Sequence, residues 1–206
     1  MKTRIIVDST ADLVPEIEAR VHTVPLTVRF GNEEYIDGVT IDRKTFYEKL
    51  IESDDLPSTS QATPDILEQM YRDLGKENQI IHITIPANSS GIVNTARMIA
   101  GDLAEEGFDI TIVDSSLYSY GIGANVIRAA EMAESGAGKD EIVEYLKERF
   151  AKDKVYFIVD DLTTLKKGGR IKTTTMVVSA ILDIKPILYS NDGMVEAFAK
   201  VKGMKR

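Results

Sequence analysis

Nine consecutive residues, Leu56 to Pro64 (LPSTSQATP), carry four hydroxyls and one amide but no charge, in a chain that is 28% charged. Thr63 before Pro64 reads as a helix start, with Thr as N-cap and Pro in the first turn. The donors therefore run into a helix N-terminus, where free N–H groups and the positive end of the dipole lie. A second neutral cluster, Ala87-Asn88-Ser89-Ser90-Gly91, falls between an apolar run and another helical segment. On neighbouring strands the two junctions would make a donor-rich pocket without fixed positive charge. Such a pocket suits a carboxylate or phosphate held by hydroxyls and backbone amides. Ordinary capping and turn chemistry asks for the same residue types, so both readings stay open. Neither glycine-rich phosphate motif occurs; Tyr120-Gly121-Ile122-Gly123 supplies only a lone G-x-G.

The acidic residues offer a different chemistry. Ile-Val-Asp occurs at 6–8, 112–114 and 158–160, each time closing an apolar run with hydroxyls following. In open α/β sheets the carboxyl ends of strands are where ligands bind. Asp8, Asp114 and Asp160, with Asp12, could converge on magnesium for phosphoryl transfer. The plainer alternative is that each Asp caps the next helix. No G-x-S-x-G elbow is present, and His22 and His82, in strand-like surroundings, read as structural. Lys166-Lys167-Gly168-Gly169-Arg170 is a compact basic patch on a glycine-rich turn.

The elements that must position these groups alternate. Arg4–Val7, Val21–Phe30, Gln79–Ile85, Ile110–Val113 and Val155–Val159 are Ile- and Val-rich and predict strands. Arg43–Ser53, Pro64–Leu74, Ser90–Glu106, Gly121–Glu134 and Lys139–Lys152 carry apolar residues at helical spacing. Alternation implies crossover connections and a mainly parallel sheet. After about residue 152 the texture changes: helical stretches shorten, and Lys185–Tyr189 and Met194–Lys200 flank a hairpin turn at Asn191-Asp192-Gly193. The expected architecture is α/β, with a mainly parallel first domain over 1–152 and a smaller, incomplete α+β second domain over 153–206.

Composition bounds the function. A net charge of −8 argues against non-specific binding to nucleic acid or an anionic membrane. With no cysteine there is no disulfide, thiol nucleophile or Cys-ligated metal. The first apolar run, Ile5-Ile6-Val7, is too short for a signal peptide, and no stretch has the length of a membrane span. A soluble cytoplasmic protein is expected.

Seven stretches, in order, resemble the DegV family of bacterial fatty-acid-binding proteins. They are IIVDSTADLVP (5–15), VPLTVRFGNEEYIDGVTI (24–41), LPSTSQATP (56–64), SSGIVNTA (89–96), VDSSLYSYGIG (113–123), LTTLKKGGRI (162–171) and IKPILYSNDGMV (184–195). The resemblance implies a two-domain carrier, without catalysis or cofactor, that encloses a long-chain fatty acid between its domains. It implies that Thr59, Ser60, Ser90 and Gly91 hold the carboxylate. It also implies a partner fatty acid kinase that phosphorylates the bound carboxyl, with Arg170 at the partner contact, and leaves room for transient contact with a membrane surface. Burying a sixteen-carbon tail removes roughly 14 methylenes from water, on the order of 11 kcal/mol before ordering costs. The tail can then retain the ligand while a neutral head-group clamp orients it. Two features depart from the family pattern. Hydroxyls expected around the SG turn are replaced at Pro86, Ala87, Ile92 and Val93. The chain also lacks the C-terminal part of the family's second domain, which carries a histidine near the head group. Met176, Val177, Ile181 and Leu182 are candidate tail contacts. The competing readings are the magnesium enzyme above and a ligand-free interaction protein.

Overall fold

The computed structural model describes residues 1–53, 55–159, 162–171 and 184–202. In chain order the strands are β1 (Thr3–Asp8), β2 (His22–Val24), β3 (Thr27–Phe30), β4 (Glu33–Ile36), β5 (Ser58–Ser60), β6 (Gln79–Thr84), β7 (Asp109–Asp114), β8 (Tyr156–Phe157), β9 (Ile184–Asn191) and β10 (Met194–Lys202). The helices are α1 (Pro15–Glu18), α2 (Arg43–Glu52), α3 (Pro64–Leu74), α4 (Ile92–Glu105), α5 (Tyr120–Glu134), α6 (Lys139–Lys152) and α7 (Thr163–Gly168). The α/β class is as expected: β2-β1-β6-β7 form an all-parallel sheet.

The central strands read as near-continuous apolar runs because both faces are covered, as parallel sheets require. Ile5, Ile6 and Val7 of β1 and Ile80, Ile81 and Ile83 of β6 are all buried. α5 packs on β1 and against α6, α4 lies on β7, and α3 packs on α4. Pro64–Leu74 and Lys139–Lys152 are helical over the predicted spans. Among the described residues no helix is long and apolar enough to cross a membrane.

Two further sheets are antiparallel: β4-β3-β5 and β10-β9-β8. The first corrects the expectation of one strand over Val21–Phe30. The run breaks between Val24 and Thr27, so β2 joins the parallel sheet and β3 the antiparallel one. Pro25 sits in the break and has no N–H to give to a ladder. A small separate core of Val28, Phe30 and Ile41 lies beneath this sheet. The β9–β10 hairpin turns at Asp192-Gly193, both with positive φ (48° and 75°), as a two-residue primed turn requires. It packs its own cluster of Leu162, Ile171, Leu188 and Val195.

Candidate functional site

The parallel sheet sends the ends of β1, β6 and β7 to one edge, and the strand order reverses between β1 and β6. Crevices at such switch points are where α/β sheets bind ligands. The side chains closing β1 and β7 fix the loops that leave this edge. Asp8 Oδ2 accepts a hydrogen bond from the Ile85 N–H at 2.8 Å, at the exit from β6. Its Oδ1 lies 3.4 Å from His82 Nε2, and His82 Nδ1 is 2.6 Å from the Tyr71 hydroxyl. All three side chains are in the core, at 1%, 0% and 0% exposure. Burial, and then the Asp8 charge, push the Tyr71 hydroxyl well above its ordinary range. Tyr71 therefore stays protonated and donates to Nδ1, which leaves the imidazole proton on Nε2, facing Asp8. Asp114 works in the same way on β7: Oδ1 accepts from Ser116 N–H at 2.9 Å and Oδ2 from Ala87 N–H at 3.1 Å.

These anchors give Asp8 and Asp114 a role other than the one the magnesium reading assigns them. Asp114 turns both oxygens to backbone amides and Asp8 turns one to a backbone amide and one to His82, and among the described residues no group of three or more metal-ligating side chains converges. Nor do they act as helix caps in the expected sense, since Asp8 makes no side-chain cap bond. Asp160 lies outside the described residues, as do Met176, Val177, Ile181 and Leu182.

The neutral stretch 56–64 is not wholly a loop. Ser58–Ser60 form β5, an edge strand antiparallel to β3, with Thr59 opposite Val28. Alternation along a strand puts Thr59 and Val28 on one face and Ser60 on the other. Thr59 faces a cleft of about 510 Å3, walled by Leu26, Val28 and Phe46 and by the hydroxyls of Ser9, Thr10 and Ser119. Thr10 Oγ1 is buried there without a partner among the described residues. Asp12 and Ser119, also on its wall, hold positive φ of 50° and 51°, a strained backbone for non-glycine residues. Ser60, Ser90 and Gly91 do not line this cleft.

The two hydroxyl segments nonetheless meet. Gln61 Nε2 donates to Thr95 Oγ1 on α4 at 2.9 Å. A Cβ at Gly91 would fall 2.9 Å from Gln61 Oε1, so a side chain there would displace the end of the Gln61 side chain. The expectation of neighbouring strands is corrected: β5 belongs to the antiparallel sheet and β6 to the parallel one. Ser90 Oγ accepts from Ile92 N–H at 3.3 Å, and Ser89 Oγ donates to the Pro86 carbonyl at 2.9 Å. Arg170 reaches the same turn, its Nε 3.4 Å from the Ser89 carbonyl while another guanidinium nitrogen holds Gly168 O at 2.6 Å.

The β9–β10 hairpin tip docks on this turn. Asn88 Nδ2 donates to Asp192 O at 2.9 Å and to its carboxylate at 3.0 Å. The Tyr118 hydroxyl donates to Gly193 O, and Ser190 Oγ to Ser116 O at 3.1 Å. Burial raises the Tyr118 hydroxyl, moderated by Ser89 and the Arg170 charge and reinforced by Asp114. Sequence reasoning read His82 as structural and named Asp8 only as a metal ligand or cap; their link to Tyr71, and the roles of Gln61 and Tyr118 as structural partners, it did not single out. Gln61 and Tyr118 lie inside conspicuous stretches, but the contact of Tyr118 spans 75 residues, and no local pattern announces it.

A profile of the family described as "Uncharacterised protein, DegV family" matches residues 2–206. A DegV domain-containing protein of Caldanaerobacter subterraneus is 34% identical over 208 residues, covering all of this chain and 73% of that protein. The crystal structure of DegV from Bacillus subtilis, described as a fatty acid binding protein, superposes with TM-score 0.87 at 30% identity. That match covers 98% of this chain and 72% of the other. A fatty acid (stearic acid)-binding protein from Eubacterium ventriosum gives TM-score 0.88 at 26% identity, over 98% and 71%.

Proposed function

This chain belongs to the DegV family, and from that premise we propose that it binds a long-chain fatty acid and presents its carboxyl group to a partner fatty acid kinase, doing no chemistry itself. In this reading Thr59, Ser60, Ser90 and Gly91 hold the carboxylate, Arg170 meets the partner, and residues 1–152 and 153–206 are the two domains between which the ligand lies. Fatty-acid binding by the Bacillus subtilis and Eubacterium ventriosum relatives supports the ligand class.

One observation carries the reading. The hydrogen bond from Gln61 to Thr95 ties the Thr59–Gln61 segment to the Ser89–Gly91 turn, with Arg170 on the Ser89 carbonyl. This groups neutral donors and one guanidinium at the mouth of the sheet. Among the described residues, the cleft behind Thr59 carries Asp12, Glu18 and Asp37 against Arg43. An ionised head group is repelled from that interior and favoured at the turn. A carboxylate bound by hydroxyls rather than by an ion pair keeps its nucleophilic oxygen available to a phosphoryl donor on the partner.

The test is denaturing solvent extraction of the purified protein, with mass spectrometry of the extract. A stoichiometric fatty acid is expected. Ser90→Ala and Thr59→Val should each weaken uptake roughly tenfold to a hundredfold, the worth of one hydrogen bond to a charged group. An empty extract with no uptake of added stearate would refute the carrier reading and favour a ligand-free interaction protein.

A further inference from the structure

At the opposite, amino-terminal edge of the parallel sheet lies a second cleft, of about 540 Å3, lined by Lys2, Arg4, Arg20, His22 and Glu134 with the small residues Ala19, Ala130 and Ala133. It exists because β2 begins to pair with β1 only at Ile6↔His22, which leaves the first half of β1 without a strand on that side. The register gives Lys2, Arg4 and His22 the same parity, so they share a face of the sheet.

The charges there are unbalanced. Arg20 spends its guanidinium on Glu134, with bonds of 2.8 and 2.6 Å. Among the described residues Lys2 and Arg4 have no carboxylate partner and Glu134 is the only acid on the wall. In a chain of net charge −8 this concentrates positive potential in a concave site. The His22 imidazole reports that potential: burial, and then the charge of Arg4, hold its pKa below the ordinary value.

We propose that this cleft is a binding site for a phosphate group, with Arg4 and Lys2 as its charged ligands and His22 as a third donor when protonated. Two uncompensated cations match a dianion. The volume lies in the range of small-molecule sites, so the alanine-lined wall has room for a small organic body attached to the phosphate. A guanidinium is also the preferred partner of such a group. The site is separate from the fatty-acid reading and does not depend on it.

The chain has two histidines, and His82 is fully buried, so NMR titration of the imidazoles reads His22 cleanly. Arg4, from β1, is the charge that acts on it; the other charged groups of the cleft are Lys2, just before β1, Arg20 from its own segment and Glu134 from α5, with Glu131 acting on Arg20. The full chain is titrated with sulfate, inorganic phosphate and glycerol phosphate against chloride at matched ionic strength. Sulfate, a dianion throughout this range, separates His22 from the second ionisation of the phosphate probes, which for a phosphomonoester falls near pH 6. A dianion in the cleft should raise the His22 pKa saturably, so binding tightens as pH falls through the new value. Arg4→Gln should weaken dianion binding about tenfold and, in chloride alone, raise the His22 pKa by removing a repelling charge. Tighter binding of glycerol phosphate than of free phosphate assigns an organic phosphomonoester; equal binding assigns the free oxyanion. A His22 titration identical in sulfate and chloride, or a dianion response that Arg4→Gln leaves unchanged, overturns the proposal.

Discussion

Replacing Asp8 by Asn changes one atom and should cost this protein a large share of its stability. The carboxylate faces two donors, the Ile85 N–H at 2.8 Å and His82 Nε2 at 3.4 Å, in a site with 1% exposure. An amide has one acceptor oxygen. If it keeps Ile85, its NH2 is driven against the Nε2–H of His82; if it keeps His82, it meets the Ile85 amide. One buried donor is left unsatisfied, at about 1–3 kcal/mol, and the surviving bond loses its charge assistance, about 1 kcal/mol more. The long Nε2 contact places the first sum toward its lower end, so the expected loss is about 2–3 kcal/mol. For a chain of this size that lowers Tm by roughly 4–12 °C. Urea unfolding should show a reduced midpoint with an unchanged slope, since the exposed area is the same. Tyr71→Phe, which strips only the hydroxyl from Nδ1, should cost about 1 kcal/mol. A loss below about 0.5 kcal/mol in Asp8→Asn, or Tyr71→Phe costing more than Asp8→Asn, would refute the claim that Asp8 anchors the exit of β6.

Two further outcomes test other parts of the structure. Gly193→Ala should destabilise by at least about 1–2 kcal/mol from its positive φ alone; the new Cβ would also sit 2.3 Å from Pro86 Cβ, so limited proteolysis should detect a loosened hairpin tip. Gly168→Ala, with nothing within 4 Å of its Cβ, is the control and should be neutral or slightly stabilising. Asp109 is pushed up by burial, but hydrogen bonds from Lys139 and Gln79 and the Lys139 charge outweigh this and hold it below the ordinary carboxylate value. A depressed folded pKa gives stability that is present above the unfolded value near 3.9 and is lost as pH falls through the folded one. Asp109→Asn should therefore flatten the acid limb of a stability profile as pH falls below the unfolded carboxylate value near 3.9; an unaltered limb would exclude that contribution.

Much of the fold was legible because local physics and the tertiary environment agreed. β1 and β6 are apolar on both faces, and only a strand between two layers of helices has that demand. Pro64 marked a helix start with local backbone chemistry, and Asn191-Asp192-Gly193 marked a hairpin turn. The antiparallel β4-β3-β5 sheet was not legible. Ser58–Ser60 has no apolar alternation, being an edge strand exposed along its length, and its pairing with Thr27–Arg29 is a long-range event. Polarity alone marked it as loop.

The candidate site divides along the same line. The sequence by itself determined the ingredients: a neutral run of hydroxyls, a second beside a glycine, aspartates at strand ends, a basic glycine turn. Local spacing suffices for these, since capping, turn and strand-end chemistry act over a few residues. The tertiary structure alone decided their partners. It turned Asp8 and Asp114 from candidate metal ligands into loop anchors, set Thr59 and Ser60 on opposite faces of a strand, and brought Arg170 to Ser89 across 81 residues. It also gathered Lys2, Arg4 and His22 at one sheet edge. Which charges share a cleft depends on register and strand order, and those are fixed by the packing of the whole core, not by any segment within it.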